Sequence, residues 1–132
     1  MIPEILYKQF VIIPKELEMS PGKIASQACH ATFMALEQQR IKNRDITNVK
    51  IIEDWKKNGM CVIVLECEDC LQLMGIAEYL RQWHIPYHLY LDEGITEVAM
   101  GTPTALATGV MTKEQFWMLS QLKLYTERRW YE

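Results

Sequence analysis

The chain has 132 residues, the size of one domain around one core, and its 49% hydrophobic and 23% charged content is that of an ordinary globular protein. A formal net charge of −3 gives no overall pull toward nucleic acid, so any RNA contact needs a local basic patch. The N-terminal MIPEILYKQF lacks a basic stretch followed by a long apolar run, and no apolar run approaches the ~18 residues of a membrane span. Neither a signal peptide nor a membrane contact is expected, and the expected compartment is the cytoplasm. Cys29, Cys61, Cys67 and Cys70 read as thiols there. CEDC, residues 67–70, is a CxxC, yet it supplies two ligands where structural zinc takes four. Glu66, Glu68 and Asp69 push its thiols away from the thiolate form, so no metal or redox site is expected.

KQFVIIP, residues 8–14, is a β-branched and aromatic run closed by proline, which predicts a buried strand. Residues 20 to about 39 predict a helix. Ser20 is its N-cap, and Pro21 takes the first helical position, where its missing N–H costs nothing. Ala25, Ala28, Ala31 and Ala35, with Ile24, suit close packing on a sheet. A polar linker, RIKNRDITN, leads to a short helix, VKIIEDWKKNG, with Val49, Ile52 and Trp55 inward and Gly59 as its stop. MCVIVLEC, residues 60–67, is a second buried strand. DCLQLMGIAEYLRQWH is a third helix capped by Asp69, with Leu71, Met74, Ala77 (or Ile76) and Leu80 at helical spacing. Residues 85–92, IPYHLYLD, make a third strand. EGITEVAMGTP is a loop with two glycines, and TALATGV, residues 104–110, is a fourth strand. Residues 112–125 predict a last helix opened by a Thr-x-x-Gln capping box, and TERRWYE extends it or frays.

Strands separated by helices imply right-handed parallel crossovers. The last two strands have no clear helix between them, so one of the two is expected to be antiparallel. The expected architecture is a three-layer α/β/α sandwich with a four-stranded mixed sheet.

Lys23 raises the first chemical question. A cation in the first turn opposes the helix dipole at a cost of ~0.3–1 kcal/mol, and a capping box puts Glu or Gln at that position. Lys23, Gln27, His30 and Met34 share a stripe that borders the apolar stripe of Ile24, Ala28, Ala31 and Ala35. The helix start lies at the carboxyl end of the first strand, the usual ligand edge of an open α/β sheet. Free N–H groups there, Gly22 permitting close approach, and the Lys23 ammonium together suit an anion; a surface lysine reaching water is the competing reading. His30, beside an apolar stripe, reads more simply as a packing residue, and His84 and His88 have weaker claims still. The second candidate segment is YLDEGITEVAMGTPT. Asp92 ends a strand and enters a glycine-containing loop, and Thr96, Thr102 and Thr104 supply hydroxyls. Such carboxylates also form turns, and threonines also line strand surfaces.

Taken together, K-Q-x-V-I-I, then M-S-P-G-K-I-A-S-Q-A-C-H-A, then D-E-G-I-T-E-V-A-M-G-T-P-T-A-L-A-T-G resemble the type 2 peptidyl-tRNA hydrolases. Order and spacing agree over about residues 7–124, leaving 125–132 as a tail on a single domain spanning 1–132. The resemblance implies a four-stranded mixed sheet flanked by helices, often in a homodimer. It also implies hydrolysis of the ester between a peptide and the ribose of tRNA, with no cofactor or metal. It carries Lys23, Asp92, Thr96 and Thr104 onto positions implicated in catalysis, and Gln27 and His30 onto motif positions of less defined role. Gly22, Gln27, His30 and Thr102 are the expected substrate-binding residues. Peptidyl-tRNA is the expected partner, reached through a basic rim drawn from Lys8, Lys15, Lys23, Lys56 and Lys57. No Ser–His or Cys–His pair stands out, so direct attack by water is expected. Asp92 would orient or deprotonate the water, Lys23 would balance Asp92 and then the oxyanion, and the threonines would position water and substrate.

Several residues depart from the family pattern. Glu93 stands where alanine is usual, Ile95 where a basic residue is common, and Glu97 where a neutral Gln is common. Met100 replaces a usual proline, Pro103 is unusual, and Val110 stands where a proline often follows. The added negative charge at Glu93 and Glu97 would weaken phosphate binding. These departures motivate two alternatives: a non-catalytic binding or regulatory protein on the same scaffold, or a hydrolase of another ester or amide. Phe116, Trp117 and Met118, with the tail ERRWYE, suggest a self-association surface, against ordinary core packing.

Overall fold

The computed structural model describes residues 4–42 and 46–126. The first three residues, the middle of the polar linker at 43–45 and the end of the tail at 127–132 lie outside the described residues.

Strand β1 (Tyr7–Pro14) is buried continuously from Gln9 onward, as a strand covered on both faces is, and its successive side chains point to opposite faces. Phe10 and Ile12 enter the core on one side, Val11 and Ile13 the core on the other. A 3-10 turn (Lys15–Leu17) leads to α1 (Pro21–Ile41), where Ser20 Oγ accepts from the Lys23 N–H at 3.2 Å as the predicted cap. Helix α2 (Ile46–Lys57) buries Ile52 and Trp55, with Val49 half-buried, and the Trp55 indole N–H donates to Cys61 O at 2.9 Å. The chain then enters β2 (Val62–Cys67), parallel to β1. Helix α3 (Cys70–Gln82) is capped by Asp69, whose Oδ1 accepts from Gln72 N at 2.8 Å. Strands β3 (Tyr87–Leu91) and β4 (Pro103–Thr112), a 3-10 helix (Lys113–Leu119) and β5 (Lys123–Leu124) complete the order. Gln115 Oε1 accepts from Thr112 N at 3.0 Å, one arm of the predicted capping box.

The sheet order is β3-β4-β1-β2-β5, with β4 antiparallel to both β1 and β3. β4 is therefore the antiparallel member expected among the last two predicted strands. It follows that β1, β2 and β3 run the same way, and their carboxyl ends share one edge with the amino end of β4.

The sheet has five strands, not the expected four. The run expected as one helix over 112–125 is a 3-10 helix, a turn and β5, which pairs antiparallel with β2 at Leu65 and Glu66. Just beyond it, Tyr125 N donates to Val64 O at 2.9 Å. Without these bonds that side of β2 would expose unpaired backbone groups. A two-residue strand carries no periodicity to read in advance.

On one face Ala31 and Ala35 of α1 meet Ala105 and Ala107 of β4, small against small, which lets the helix lie close to the sheet. Ala25, expected in that packing, is exposed. On the other face Leu73, Ala77 and Leu80 of α3 pack with Leu119 against Phe10, Ile12, Leu65 and Leu106. Each such aliphatic side chain stabilises the fold by roughly 1.5–3 kcal/mol. The expected α3 stripe is corrected here: Leu71 and Met74 are exposed, and the buried stripe starts at Leu73 and continues at i+4 and i+7. No helix among the described residues is long and apolar enough to cross a membrane.

Candidate active site

Three elements deliver polar side chains to the shared sheet edge. Asp92 follows the last residue of β3, Lys23 and Gln27 occupy the first two turns of α1, and Thr104 is the second residue of β4. Lys23 Nζ donates to Asp92 Oδ1 at 2.6 Å. Gln27 Nε2 donates to the same oxygen at 2.9 Å and to Thr104 Oγ1 at 2.6 Å. The Gly94 N–H donates to Asp92 Oδ2 at 2.7 Å. Both carboxylate oxygens are thus satisfied, the condition under which a buried charge is tolerated.

Depth separates the members. Thr104 has no exposed surface and Gln27 is 2% exposed, whereas the Lys23 side chain keeps 11%. Thr104 reaches Asp92 only through the Gln27 amide. The Lys23 hydrogen bond holds the Asp92 carboxyl below its ordinary value, helped by the Gly94 N–H and the Gln27 amide and opposed by desolvation. The lysine that opposes its own helix dipole is explained: a carboxylate from another strand faces it.

The loop over 93–102 is built around Asp92. Asp92 N donates to Thr102 O at 2.9 Å, and Gly101 N donates to Asp92 O at 2.7 Å. Gly94 has φ +79, and a Cβ there would sit 2.7 Å from the Met100 Cβ and backbone N, so only glycine fits. The Thr102 hydroxyl is engaged with Ala99 O at 2.6 Å. Thr96 is exposed on the loop, and its hydroxyl makes no hydrogen bond with the described residues. Glu97 reaches the start of α1, where its Oε1 accepts from Ser20 N at 2.9 Å and its Oε2 from Ser20 Oγ at 2.5 Å. The two Ser20 bonds hold its carboxyl below the ordinary range. A protein carboxylate therefore already stands at the helix start where the sequence suggested an external anion.

The structure brings together Lys23, Gln27, Asp92 and Thr104, and leaves the other expected site residues outside their hydrogen-bonded cluster. His30 is exposed and stacks on Tyr90 at 4.7 Å between ring centroids, with an interplanar angle of 14°. Ser26 Oγ approaches His30 Nε2 at 3.5 Å, a Ser–His proximity the sequence reading passed over, detectable as an i,i+4 pair on α1. That distance is at the limit of a hydrogen bond, and among the described residues no carboxylate bonds the ring, so the pair lacks the geometry of a nucleophile–base relay. A Cβ at Gly22 would meet nothing within 4 Å, so the helix start is open there and the fold itself does not require glycine. The Ser20–Glu97 link was also missed, because its partners are 77 residues apart and neither carries a local signal.

The two CxxC thiols are poor candidates for chemistry. Burial pushes Cys67 up to about 12 and Cys70 up to about 11, the latter helped by Glu16. Of the expected basic rim, Lys15 lies just past β1, 3.4 Å from Glu66, and Lys23 is at the same edge. Lys8 sits near the start of β1, over the Phe116 ring at 4.6 Å. Lys56 and Lys57 end α2, where the next residue, Asn58, accepts from Leu6 N at 3.1 Å. These three lie toward the opposite edge.

Fold and cluster together give a mixed α/β protein that pairs a carboxylate with an ammonium donor at the ligand edge of its sheet, an arrangement chemically able to orient a water and to meet an oxyanion. The family model of the peptidyl-tRNA hydrolase PTH2 matches residues 7–125. A peptidyl-tRNA hydrolase of Methanopyrus kandleri is 30% identical over 110 residues, covering 83% of this chain and 90% of that protein. A peptidyl-tRNA hydrolase of Pyrobaculum aerophilum is 33% identical over 119 residues, covering 89% and 97%. A probable peptidyl-tRNA hydrolase 2 of Dictyostelium discoideum is 31% identical over 119 residues, covering 89% of this chain and 54% of that longer protein. The chain belongs to the PTH2 peptidyl-tRNA hydrolase family and is an ester hydrolase.

Proposed function

We propose that this chain, a peptidyl-tRNA hydrolase by family, cleaves the ester by direct attack of water at the Lys23–Asp92 pair. The observation that carries the reading is the 2.6 Å contact between these two groups at the ligand edge of the sheet. A carboxylate held in its ionised form is a weak base, so Asp92 accepts a hydrogen bond from the attacking water and orients it. Lys23 has three N–H donors and gives one to Asp92; the others serve the carbonyl oxygen as it becomes an oxyanion. When the tetrahedral intermediate collapses, the ribose oxygen leaves and takes up the proton released by the water.

Gln27 fixes the carboxylate, and Thr104 acts through Gln27 as a positioning residue. Thr96 offers the free hydroxyl of the loop to water or substrate. Gly22 leaves room for the ribose beside the Ser20–Glu97 contact, His30 presents an exposed ring further along the same stripe, and Thr102 shapes the loop. Lys15 and Lys23 supply the positive charge at this edge, which makes the tRNA contact local in a chain of net charge −3.

Two cores on opposite sheet faces support a three-layer α/β/α arrangement. An activity on peptidyl-tRNA supports the cytoplasm as the working compartment. Self-association is the reading for the α3 surface. Trp83 and Trp117 are both more than half exposed with ring centroids 6.0 Å apart, beside a groove of about 510 Å³ lined by Ile76, Tyr79 and Leu122. Phe116 belongs to the core instead, edge-on to Phe10 at 5.8 Å. A light-scattering mass of two chains supports the homodimer, and a mass of one chain removes it. The activity itself is tested by incubating the purified protein with a model peptidyl-tRNA. Release of peptide and free tRNA supports the reading, and intact substrate overturns it.

A further inference from the structure

We infer that Glu97 is a positioning residue: by bonding Ser20 at the start of α1, it sets the loop over 93–102, with Thr96 in it, relative to the Lys23–Asp92 pair. The inference rests on the hydrolase reading above and adds a residue that the reading does not use.

The loop ends are tied through Asp92, by its backbone to Gly101 and Thr102 and by its carboxylate to Gly94. The middle is tied differently. Among the described residues, positions 95–98 are held to the rest of the fold by the two Glu97 bonds and by Val98 packing on the α1 side of the core. Ser20 is at once the donor to Glu97 and the cap that accepts from Lys23 N. Glu97, Ser20, Lys23 and Asp92 therefore form a circuit that leaves the loop, crosses the helix start and returns to the loop through Gly94. Breaking it at Glu97 frees the segment that carries Thr96 and loosens the turn that aims Lys23. Both Glu97 oxygens are already engaged at the positive end of a helix, so its charge is answered internally rather than turned against a phosphate.

Reach and charge make different predictions and can be separated in the full-length protein. Glu97→Asp keeps the charge and loses one methylene of reach. Glu97→Gln keeps the reach and loses the charge, and its amide can accept from Ser20 N and donate to Ser20 Oγ. A positioning role predicts that Glu97→Asp lowers kcat by about 10-fold or more with KM little changed, since small misplacements of reacting groups are costly. It predicts that Glu97→Gln keeps kcat near the parent value. Amide hydrogen exchange should quicken over 93–102 and at Ser20 in Glu97→Asp and stay unchanged in α3. The inference is overturned if exchange in the loop is unchanged in Glu97→Asp. It is equally overturned if kcat is unchanged in Glu97→Asp while Glu97→Gln lowers KM, the pattern of a charge that repels tRNA. If the parent protein hydrolyses nothing, the hydrolase reading falls, and the exchange comparison still decides whether Glu97 holds the loop.

Discussion

The Lys23 ammonium and the Asp92 carboxylate meet at 2.6 Å although 69 positions separate them in the chain. The contact joins the first turn of α1 to the end of β3, a strand that β4 separates from β1, the strand leading into the helix. It answers the dipole mismatch at Lys23 and the burial of Asp92 with one interaction. The two remaining partners of the carboxylate, the Gln27 amide and the Gly94 N–H, leave it no unsatisfied oxygen. The result is a fixed acceptor beside a fixed cation; on the proposed reading, a water donates to the carboxylate and a substrate carbonyl oxygen accepts from the ammonium without rearrangement of the protein.

Thr104 should matter through Gln27 rather than by touching substrate. Thr104→Val keeps the shape and leaves one buried Gln27 N–H without its acceptor, which should cost about 1–3 kcal/mol in chemical denaturation. The same variant should lower kcat, because the amide that fixes Asp92 becomes mobile. Thr104→Ser should restore both. An unchanged denaturation midpoint together with unchanged kcat would show that Gln27 does not depend on the hydroxyl.

Gly94 is the position where the loop tolerates no side chain. Gly94→Ala places a Cβ 2.7 Å from Met100 at a backbone angle that alanine resists. The loss of stability should exceed about 1 kcal/mol. Activity should fall further than stability, since the Gly94 N–H is one of the donors to Asp92. Thermal unfolding and turnover measured on the same preparation check both, and a variant indistinguishable from the parent contradicts the loop geometry.

The pH dependence has a definite sign. Asp92 and Glu97 both have carboxyls held below their ordinary values of 3.8 and 4.5. A carboxylate with a depressed folded value contributes stability that is fully present above the unfolded value and is lost as pH falls through the folded one. Stability from these groups should therefore be constant from neutral pH down to about 5 and decline below it. The acid limb of kcat/KM that belongs to Asp92 should fall below 3.8. An acid limb near 6 would mean that a group other than the ionised Asp92 governs the water.

Much of this was readable in the chain, for identifiable reasons. The β-branched and aromatic run in 8–14, closed by proline, and the Ser20–Pro21 cap are local signals, and both elements stand where they were expected. Lys23 and Asp92 were readable as separate anomalies, a cation in the wrong turn and an acid at a strand end. Their pairing was expected from the family resemblance alone, and its 2.6 Å geometry needed the fold. Thr104 was readable as a hydroxyl that positions water and substrate, and nothing in the sequence reports that it is fully buried and bonded to Gln27. Leu71 and Met74 share the helical spacing of a core stripe, yet the buried stripe runs one residue-face away through Leu73. That choice is made by how α3 sits on the sheet, which periodicity alone does not contain. Glu97 carried the opposite meaning in sequence, a charge set against phosphate, until Ser20 supplied its partner.

The most direct test of the central claim is single-turnover cleavage of a model peptidyl-tRNA by the parent protein, Lys23→Ala, Asp92→Asn and the double variant. Each single substitution should slow cleavage by about 10²-fold or more, the usual loss when a positioned donor or acceptor is removed from a reacting centre. The double variant should be little slower than either single one, because the two groups act as a unit. Cleavage at the parent rate by Lys23→Ala or Asp92→Asn would contradict the account.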